Sequence, residues 1–153
     1  MRTLYLVGCG KAKRAEPAPA CRLYTGNLFR SSLAYALASA RCEPRALVRI
    51  LSAEHGLVRP GEWLAPYDLA LTDLSAQDRR SLGAHVAEQL HRTCGIAESD
   101  RYVVLAGRAY VDALRRGIAE RMEWAPRVEE PMVGLFIGQR LAWLNARLAE
   151  VPA

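Results

Sequence analysis

The sequence predicts an α/β protein in which a mostly parallel, four-stranded sheet is covered by helices on both faces. Two observations lead to this class. Three short, largely apolar runs have the length and composition of buried strands, and residues 126–131, PRVEEP, could form a short fourth strand. Four longer segments repeat their apolar residues at helical spacing, and each of them follows one of these four stretches. Alternation of this kind is typical of parallel sheets, because parallel neighbours need a long crossover connection.

The first half of the chain is predicted to hold two strands and one helix. Residues 3–8, TLYLVG, form the first strand, and residues 9–26 form a loop rich in Pro, Ala and charge. A helix is expected over 27–41, with Asn27 as its N-cap. The second strand is RALVRILSA, residues 45–53, and the segment after Gly56 is expected to be irregular because it contains a Pro-Gly turn signal.

The second half is predicted to hold two strands and three helices. Ser75 should cap a long helix over 76–94, with Asp78 in the position that Glu occupies in a capping box. The remaining elements are a third strand over 101–107, a helix over 108–122, a short fourth strand over 126–131 and a final amphipathic helix over 134–151. With 153 residues and no visible linker or repeat, the chain is expected to be a single domain, residues 1–153.

The composition limits the classes of partner. The formal charge is +5, and Lys11 and Lys13 are the only lysines, so nearly all basic residues are arginines. Scattered arginines are consistent with a solvated basic surface or with attraction to the phosphates of a nucleotide or nucleic acid. No apolar run is long enough to span a bilayer, and the N-terminal run is too short for a signal peptide. We therefore expect a cytoplasmic protein without a membrane partner.

The four cysteines do not form a metal-binding pattern. Cys9, Cys21, Cys42 and Cys94 include no Cys-x-x-Cys pair and no zinc-like spacing with histidine. The sequence therefore predicts no metal and no cofactor, and structural disulfides are not expected in a cytosolic protein. The last three cysteines are expected to be buried or half-buried thiols.

Polar residues follow three of the predicted strands, at the edge of a parallel sheet where ligands bind. The stretches are residues 8–11 (GCGK), 52–56 (SAEHG) and 106–110 (AGRAY). Together with two loop blocks, they supply the candidate site. The substrate-binding candidates are Cys9, Gly10, Lys11, Tyr24, Thr25, Ser52, Tyr67, Gly107, Arg108 and Tyr110, and the catalytic candidates are His55, Asp68 and Glu54.

The first and third stretches each have a functional and a structural interpretation. Glycines at 8 and 10 allow a positive φ or a close approach to a ligand, although P-loop spacing is absent. Lys11 could bind a phosphate or remain solvated, and Cys9 could be a nucleophile or a space-filling residue. Gly107 at a helix start suits an anion, with charge from Arg108 and stacking from Tyr110, or it could simply form a turn.

The second stretch and the loops are similarly open. Glu54 and His55 are adjacent, so on an extended strand their side chains should point to opposite faces. Asp68 is then the expected partner of His55, or the base itself, unless it only fixes a turn. Tyr67 could stack on a planar ligand. In the other loop block, Tyr24 could stack likewise, and Thr25 could bind an anion or help to cap the helix that follows.

Four blocks of the sequence resemble a family of small bacterial and phage proteins described as a domain of unknown function. They are CGKAK, LYTGNLFRSSLAYA, LSAEHGLVRPGEWLAPYDLAL and GLFIGQRLAWL, starting at residues 9, 23, 51 and 134. The resemblance implies a Rossmann-like, three-layer fold, similar in outline to uracil-DNA-glycosylase-like domains and to domains attached to tRNA base-modifying enzymes. It therefore implies nucleotide or nucleic-acid chemistry.

Two functions are the main hypotheses for these residues. One is an enzyme that hydrolyses the N-glycosidic bond of a nucleotide or nucleoside, or exchanges its base, with His55 as acid or base and Asp68 or Glu54 stabilising charge on the sugar or activating water. The other is a nucleotide- or nucleic-acid-binding module without catalysis. A metal-free hydrolase of another phosphorylated small molecule is a third possibility.

Overall fold

A computed structural model describes residues 1–124 and 126–153. Within these residues the strands are β1 (Thr3–Gly8), β2 (Ala18–Pro19), β3 (Leu47–Ser52), β4 (Gly56–Val58), β5 (Trp63–Leu64), β6 (Arg101–Leu105) and β7 (Arg127–Glu129). The α-helices are α1 (Ala20–Leu23), α2 (Asn27–Arg41), α3 (Ala76–Cys94), α4 (Arg108–Arg121) and α5 (Ile137–Glu150). A short 3₁₀ turn over Leu71–Asp73 precedes α3.

β1 lies at the centre of a five-stranded sheet with the order β4-β3-β1-β6-β7. It pairs in parallel with β3 and β6, and β6 pairs in parallel with β7. The edge strand β4 is antiparallel to β3. The prediction of an α/β fold with a mostly parallel sheet is therefore confirmed, but the sheet has five strands and not four. β2 and β5 form a separate antiparallel pair.

Helices pack on both faces of the sheet. Leu4 and Leu6 of β1 belong to a buried cluster with apolar residues of α3 and α4. Tyr5 and Val7 belong to a second cluster with residues of α2 and α5. Successive strand residues point to opposite faces, so a central strand that is covered on both must be apolar throughout. This explains why the run TLYLVG shows no polar alternation.

The fifth strand occurs in a segment that the sequence pattern suggested was irregular. Gly56–Val58 turns back and pairs with β3, and residues 53–55 form the turn of this hairpin. β3 ends at Ser52 because its Oγ accepts hydrogen bonds from the backbone N–H groups of Glu54 (3.2 Å) and His55 (3.1 Å). Glu54 and His55 are thus turn residues, and the expectation that they lie on an extended strand is wrong.

The helix starts agree with the sequence signals at two of three positions. The Ser75 Oγ accepts a hydrogen bond from the Asp78 N–H at 3.0 Å and caps α3 as predicted. Gly107 directly precedes α4, also as predicted. Asn27, however, is the first residue of α2, and Gly26 is the N-cap.

The topology opens a crevice between the carboxyl ends of β1 and β6. The chain leaves β1 through α2 toward β3, and it leaves β6 through α4 toward β7. These two connections diverge to opposite edges of the sheet and to opposite faces, an arrangement that leaves a gap at the strand ends. None of the helices in the described part of the chain is long and apolar enough to cross a membrane.

Candidate functional site

The hydroxyl of Tyr67 is the centre of a polar cluster beside this crevice. It shares hydrogen bonds with the Tyr24 hydroxyl at 2.5 Å and the Ser52 Oγ at 2.6 Å, and it donates to the Cys9 Sγ at 3.8 Å. The Cys9 Sγ also lies 3.3 Å from the Tyr110 hydroxyl. These five side chains, which come from widely separated parts of the chain, are called the hydroxyl–thiol cluster below.

The bonds of Ser52 set the direction of the protons in this cluster. The Ser52 oxygen already accepts two backbone N–H groups of the hairpin turn, so its single proton is free to reach Tyr67. Ser52 therefore donates to the Tyr67 oxygen, while either hydroxyl can be the donor in the bond between Tyr67 and Tyr24. The hydroxyls of Tyr67 and Tyr110 both lie within hydrogen-bonding distance of one sulfur.

Gly8 permits the close approach of strand ends that positions Cys9. A Cβ at Gly8 would lie 2.8 Å from the Cβ of Ala106 at the end of β6. The next backbone N–H, that of Cys9, donates to the Leu51 carbonyl at 2.9 Å and ties the loop to β3. Neither Gly8 nor Gly10 has a positive φ, so close packing and not left-handed backbone is what requires glycine at position 8.

The catalytic candidates lie around the hydrogen bond between Ser52 and Tyr67. The His55 ring packs edge-on against the Tyr67 ring, with centroids 5.3 Å apart and an interplanar angle of 87°. Glu54 follows Ser52 by two positions in the chain, and Asp68 directly follows Tyr67. The side chains of Glu54 and Asp68 are both exposed. His55 therefore contacts the cluster through its ring, whereas Glu54 and Asp68 are adjacent to it only along the chain, and none of the three lines the cavity described below.

Lys13, and not Lys11, is the lysine at the cluster. Its Nζ lies 4.3 Å from the centroid of the Tyr67 ring and 5.7 Å from that of Tyr24. The same Nζ donates to the Lys11 carbonyl at 3.1 Å. The Lys11 side chain is exposed, and it makes no hydrogen bond or ion pair to another residue of the described chain.

Tyr24 and Thr25 differ from their expected roles. Tyr24 is only 1% exposed and its ring packs against Phe29 at 5.0 Å, so it reaches the site with its hydroxyl and offers no free face for stacking. The Thr25 side chain makes no hydrogen bond within the described residues. Its backbone N–H donates to the Ala12 carbonyl at 3.0 Å, which fixes the loop before α2.

A cavity of about 100 Å³ lies in the crevice itself. Cys9, Gly10, Gly107 and Tyr110 line it, which places four of the predicted binding residues around one space. The other walls come from the end of β1, from α2, from the end of β6 and from the last part of the chain. They are formed by Gly8, Leu28, Phe29, Ser32, Leu105, Ala106, Met132 and Arg140.

Arg140 is the charged residue of this cavity that the sequence prediction missed. Its Nε donates to the Leu135 carbonyl at 2.8 Å, which fixes the guanidinium beside the start of α5. No carboxylate of the described residues pairs with it. Arg140 stands in the block GLFIGQRLAWL, so a signal was present, but helical periodicity alone gave no reason to bring α5 to the crevice.

Arg108 lies outside the cavity. Its side chain is exposed and its Nε lies 3.5 Å from the Asp112 Oδ1, one helical turn further along α4. It lines an open groove between α3 and α4, together with other arginines.

Burial keeps the site tyrosines protonated. Loss of contact with water raises the pKa values of Tyr67 and Tyr110 above the ordinary tyrosine value, and the electrostatic influence of the neighbouring Cys9 adds to the rise. Burial also raises the pKa of Tyr24. At neutral pH these hydroxyls are therefore uncharged hydrogen-bonding groups and not bases.

No cluster of three or more His, Cys, Asp and Glu side chains suited to a metal ion occurs in residues 1–124 and 126–153.

Residues 4–146 match the sequence model of a family of unknown function, DUF6884. The match spans nearly the whole chain, and the chain belongs to this family. No curated protein shows significant sequence similarity to it.

Proposed function

We propose that this member of the DUF6884 family binds a nucleotide or nucleoside in the crevice between β1 and β6 and cleaves or exchanges its N-glycosidic bond. The observation that carries the proposal is the hydroxyl–thiol cluster beside a small cavity at the diverging strand ends. Ligands of open α/β sheets bind at such a point. The Rossmann-like outline and the resemblance to uracil-DNA-glycosylase-like domains belong to the same proposal.

The crevice has groups suited to the polar parts of a nucleotide. The Tyr110 hydroxyl, which lies beside Cys9 at the cavity, is a neutral donor or acceptor for a sugar hydroxyl or a base edge. The Arg140 guanidinium can pair with a phosphate in a bidentate manner. Leu28, Phe29 and Met132 supply the apolar wall that a base needs.

The chemistry would fall to the groups at the rim of the cluster. In hydrolysis, the bond from C1′ of the sugar to the base nitrogen breaks, a water oxygen bonds to C1′, and a proton goes to the departing base. His55 would deliver or accept that proton, and Asp68 or Glu54 would stabilise positive charge on the sugar or activate the water. In base exchange, the nitrogen of an incoming base takes the place of water.

The first experiment incubates the folded protein with a panel of nucleosides and nucleotides and follows release of free base by chromatography. We expect release from at least one member and loss of release in His55→Ala. We also expect Tyr110→Phe to weaken binding about fivefold, since Tyr110 lines the cavity and the change removes a hydroxyl whose hydrogen bond to the ligand would be worth roughly 1 kcal/mol.

Tyr35→Phe is the matched control, because Tyr35 lies on α2 and packs against Tyr5 and Trp143, away from the cluster. Binding without base release across the panel would leave the non-catalytic binding module as the function. Absence of both binding and release, in protein shown to be folded, would refute the proposal.

A further inference from the structure

An arginine-lined groove runs between the first part of α3 and the facing side of α4. Its volume is about 810 Å³. The arginines come from both helices, and the surface between them is formed largely by alanines. The arginines are Arg79, Arg80, Arg108, Arg115 and Arg116, and the alanines are Ala76, Ala109, Ala113 and Ala119. We call this feature the arginine groove.

The groove carries an excess of positive charge. Among the described residues that line it, Asp112 is the only acidic one. Three of its arginines form ion pairs with carboxylates at the surface. The nitrogen–oxygen distances are 3.5 Å from Arg108 to Asp112, 3.2 Å from Arg115 to Glu130 and 4.0 Å from Arg116 to Glu120. Exposed pairs of this kind are worth little and exchange readily for another anion. Arg80 makes no ion pair within the described residues.

The close packing of the two helices holds the walls of the groove in place. A Cβ at Gly83 of α3 would lie 2.1 Å from the Ala113 carbonyl oxygen of α4, so the two backbones touch there. α3 lines the groove only with residues that precede this contact. The arginine side chains are therefore presented from two long helices fixed against each other.

The groove meets the crevice at Arg108. This residue also lines a smaller cavity with Ala106, Met132 and Arg140, and those three residues line the cavity of the candidate site as well. A ligand that follows the groove toward the start of α4 is therefore led to the carboxyl edge of the sheet.

We propose that the arginine groove binds the phosphodiester backbone of a single-stranded nucleic acid. Planar guanidinium groups match phosphate oxygens in a bidentate manner, and a row of them along a concave surface fits a chain of phosphates. A flat bilayer would not follow the concave surface. The neighbouring cavity could receive part of one unpaired nucleotide, whereas the bases of a duplex stay stacked out of reach.

The test measures fluorescence anisotropy of labelled oligothymidine and oligouridine of about 20 nucleotides across roughly 50–200 mM NaCl. With four or five phosphate contacts, the slope of log affinity against log salt should be about −3 for a single strand. The double variant Arg80→Glu/Arg116→Glu should weaken binding at least about tenfold and make the slope shallower by about 1.4, which is 0.7 for each lost contact.

The control is Arg30→Glu/Arg41→Glu, which makes the same change of net charge with two exposed arginines of α2, on the other face of the sheet. Equal weakening in both double variants would overturn the proposal, because only net charge would then matter. Salt-insensitive or absent binding would also overturn it, as would tighter binding to duplex DNA or effective competition by polyglutamate. Melting temperatures verify folding, and Arg80→Ala/Arg116→Ala replaces the charge reversal if that variant fails to fold.

Oligothymidine and oligouridine have the same phosphodiester linkage. The ratio of their affinities for the protein shows whether DNA or RNA is the preferred ligand. Binding in the groove does not depend on chemistry in the crevice. Base release from free nucleotides should persist in the groove variant, so failure of this proposal and failure of the proposed function give different results.

Discussion

At the scale of single residues, two buried tyrosines differ in what their hydroxyls contact. Tyr24 and Tyr102 are 1% and 0% exposed. The Tyr24 hydroxyl shares a 2.5 Å hydrogen bond with Tyr67, while the Tyr102 hydroxyl has no hydrogen-bond partner among the described residues. A buried polar group without a partner loses its bonds to water and gains nothing in return. The Tyr24 hydroxyl therefore stabilises the folded protein, whereas the Tyr102 hydroxyl destabilises it.

This difference predicts opposite effects on the free energy of unfolding. Tyr24→Phe should lower it by about 1 kcal/mol, because a made hydrogen bond is lost. Tyr102→Phe should leave it unchanged or raise it by up to about 1 kcal/mol, because only an unsatisfied hydroxyl is removed. Urea unfolding followed by tryptophan fluorescence measures both, and an equal loss in the two variants would contradict the hydrogen-bond pattern.

At the scale of elements, α3 and α4 are held together by glycine. Gly83 and Gly117 face each other across the helix pair: a Cβ at Gly117 would lie 2.1 Å from the Gly83 carbonyl oxygen. Helical glycine normally costs about 1 kcal/mol relative to alanine. Here the absence of a side chain lets the two backbones touch, which fixes the walls of the arginine groove.

Gly83→Ala should therefore destabilise the protein by about 1–3 kcal/mol despite its gain in helix propensity, because the new methyl group meets backbone and forces the helices apart. Gly138→Ala in α5 is the control, since a Cβ there meets nothing within 4 Å. Thermal unfolding measures both. A Gly83→Ala protein as stable as the control would show that the helices are not in close contact.

At the scale of the whole molecule, burial of tyrosines links stability to alkaline pH. The pKa values of Tyr5, Tyr24, Tyr67, Tyr102 and Tyr110 are all raised in the folded protein, in each case mainly by burial. The stability that these groups contribute is complete below the pKa of an unfolded tyrosine, about 10. This stability is lost as the pH rises toward the pKa values of these tyrosines in the folded protein, since the unfolded chain then releases protons that the folded chain retains.

We expect the free energy of unfolding to be insensitive to these groups below about pH 9 and to fall steeply above about pH 10, by at most about 1.4 kcal/mol per pH unit for each fully protected tyrosine. The free energy of unfolding of Tyr110→Phe should fall less steeply than that of the wild type above about pH 10. Below about pH 9 the two free energies should differ by a constant amount. Urea unfolding at a series of pH values measures this. Parallel curves throughout would exclude a role for Tyr110.

Part of the candidate site was predictable because its residues directly follow strands that can be recognised from neighbouring residues in the sequence. The ends of β1, β3 and β6 follow from apolar runs, and parallel strands place their carboxyl ends at one edge. Cys9, Gly10, Gly107 and Tyr110 accordingly line one cavity. The turn that contains Glu54 and His55 was missed, because three residues of β4 are too few for a periodic signal.

The sequence by itself determined the alternation of strands and helices, the cap at Ser75 and the edge of the sheet where polar residues gather, since these depend on neighbours a few positions apart. Only the tertiary structure decided that Tyr67 bonds to Cys9 across 58 positions, that Lys13 replaces Lys11 at the tyrosines, and that Arg140 reaches the crevice. It also gathered scattered arginines into one groove. Periodicity shows which face of an element is buried, whereas its partners are set by packing between elements far apart in the chain.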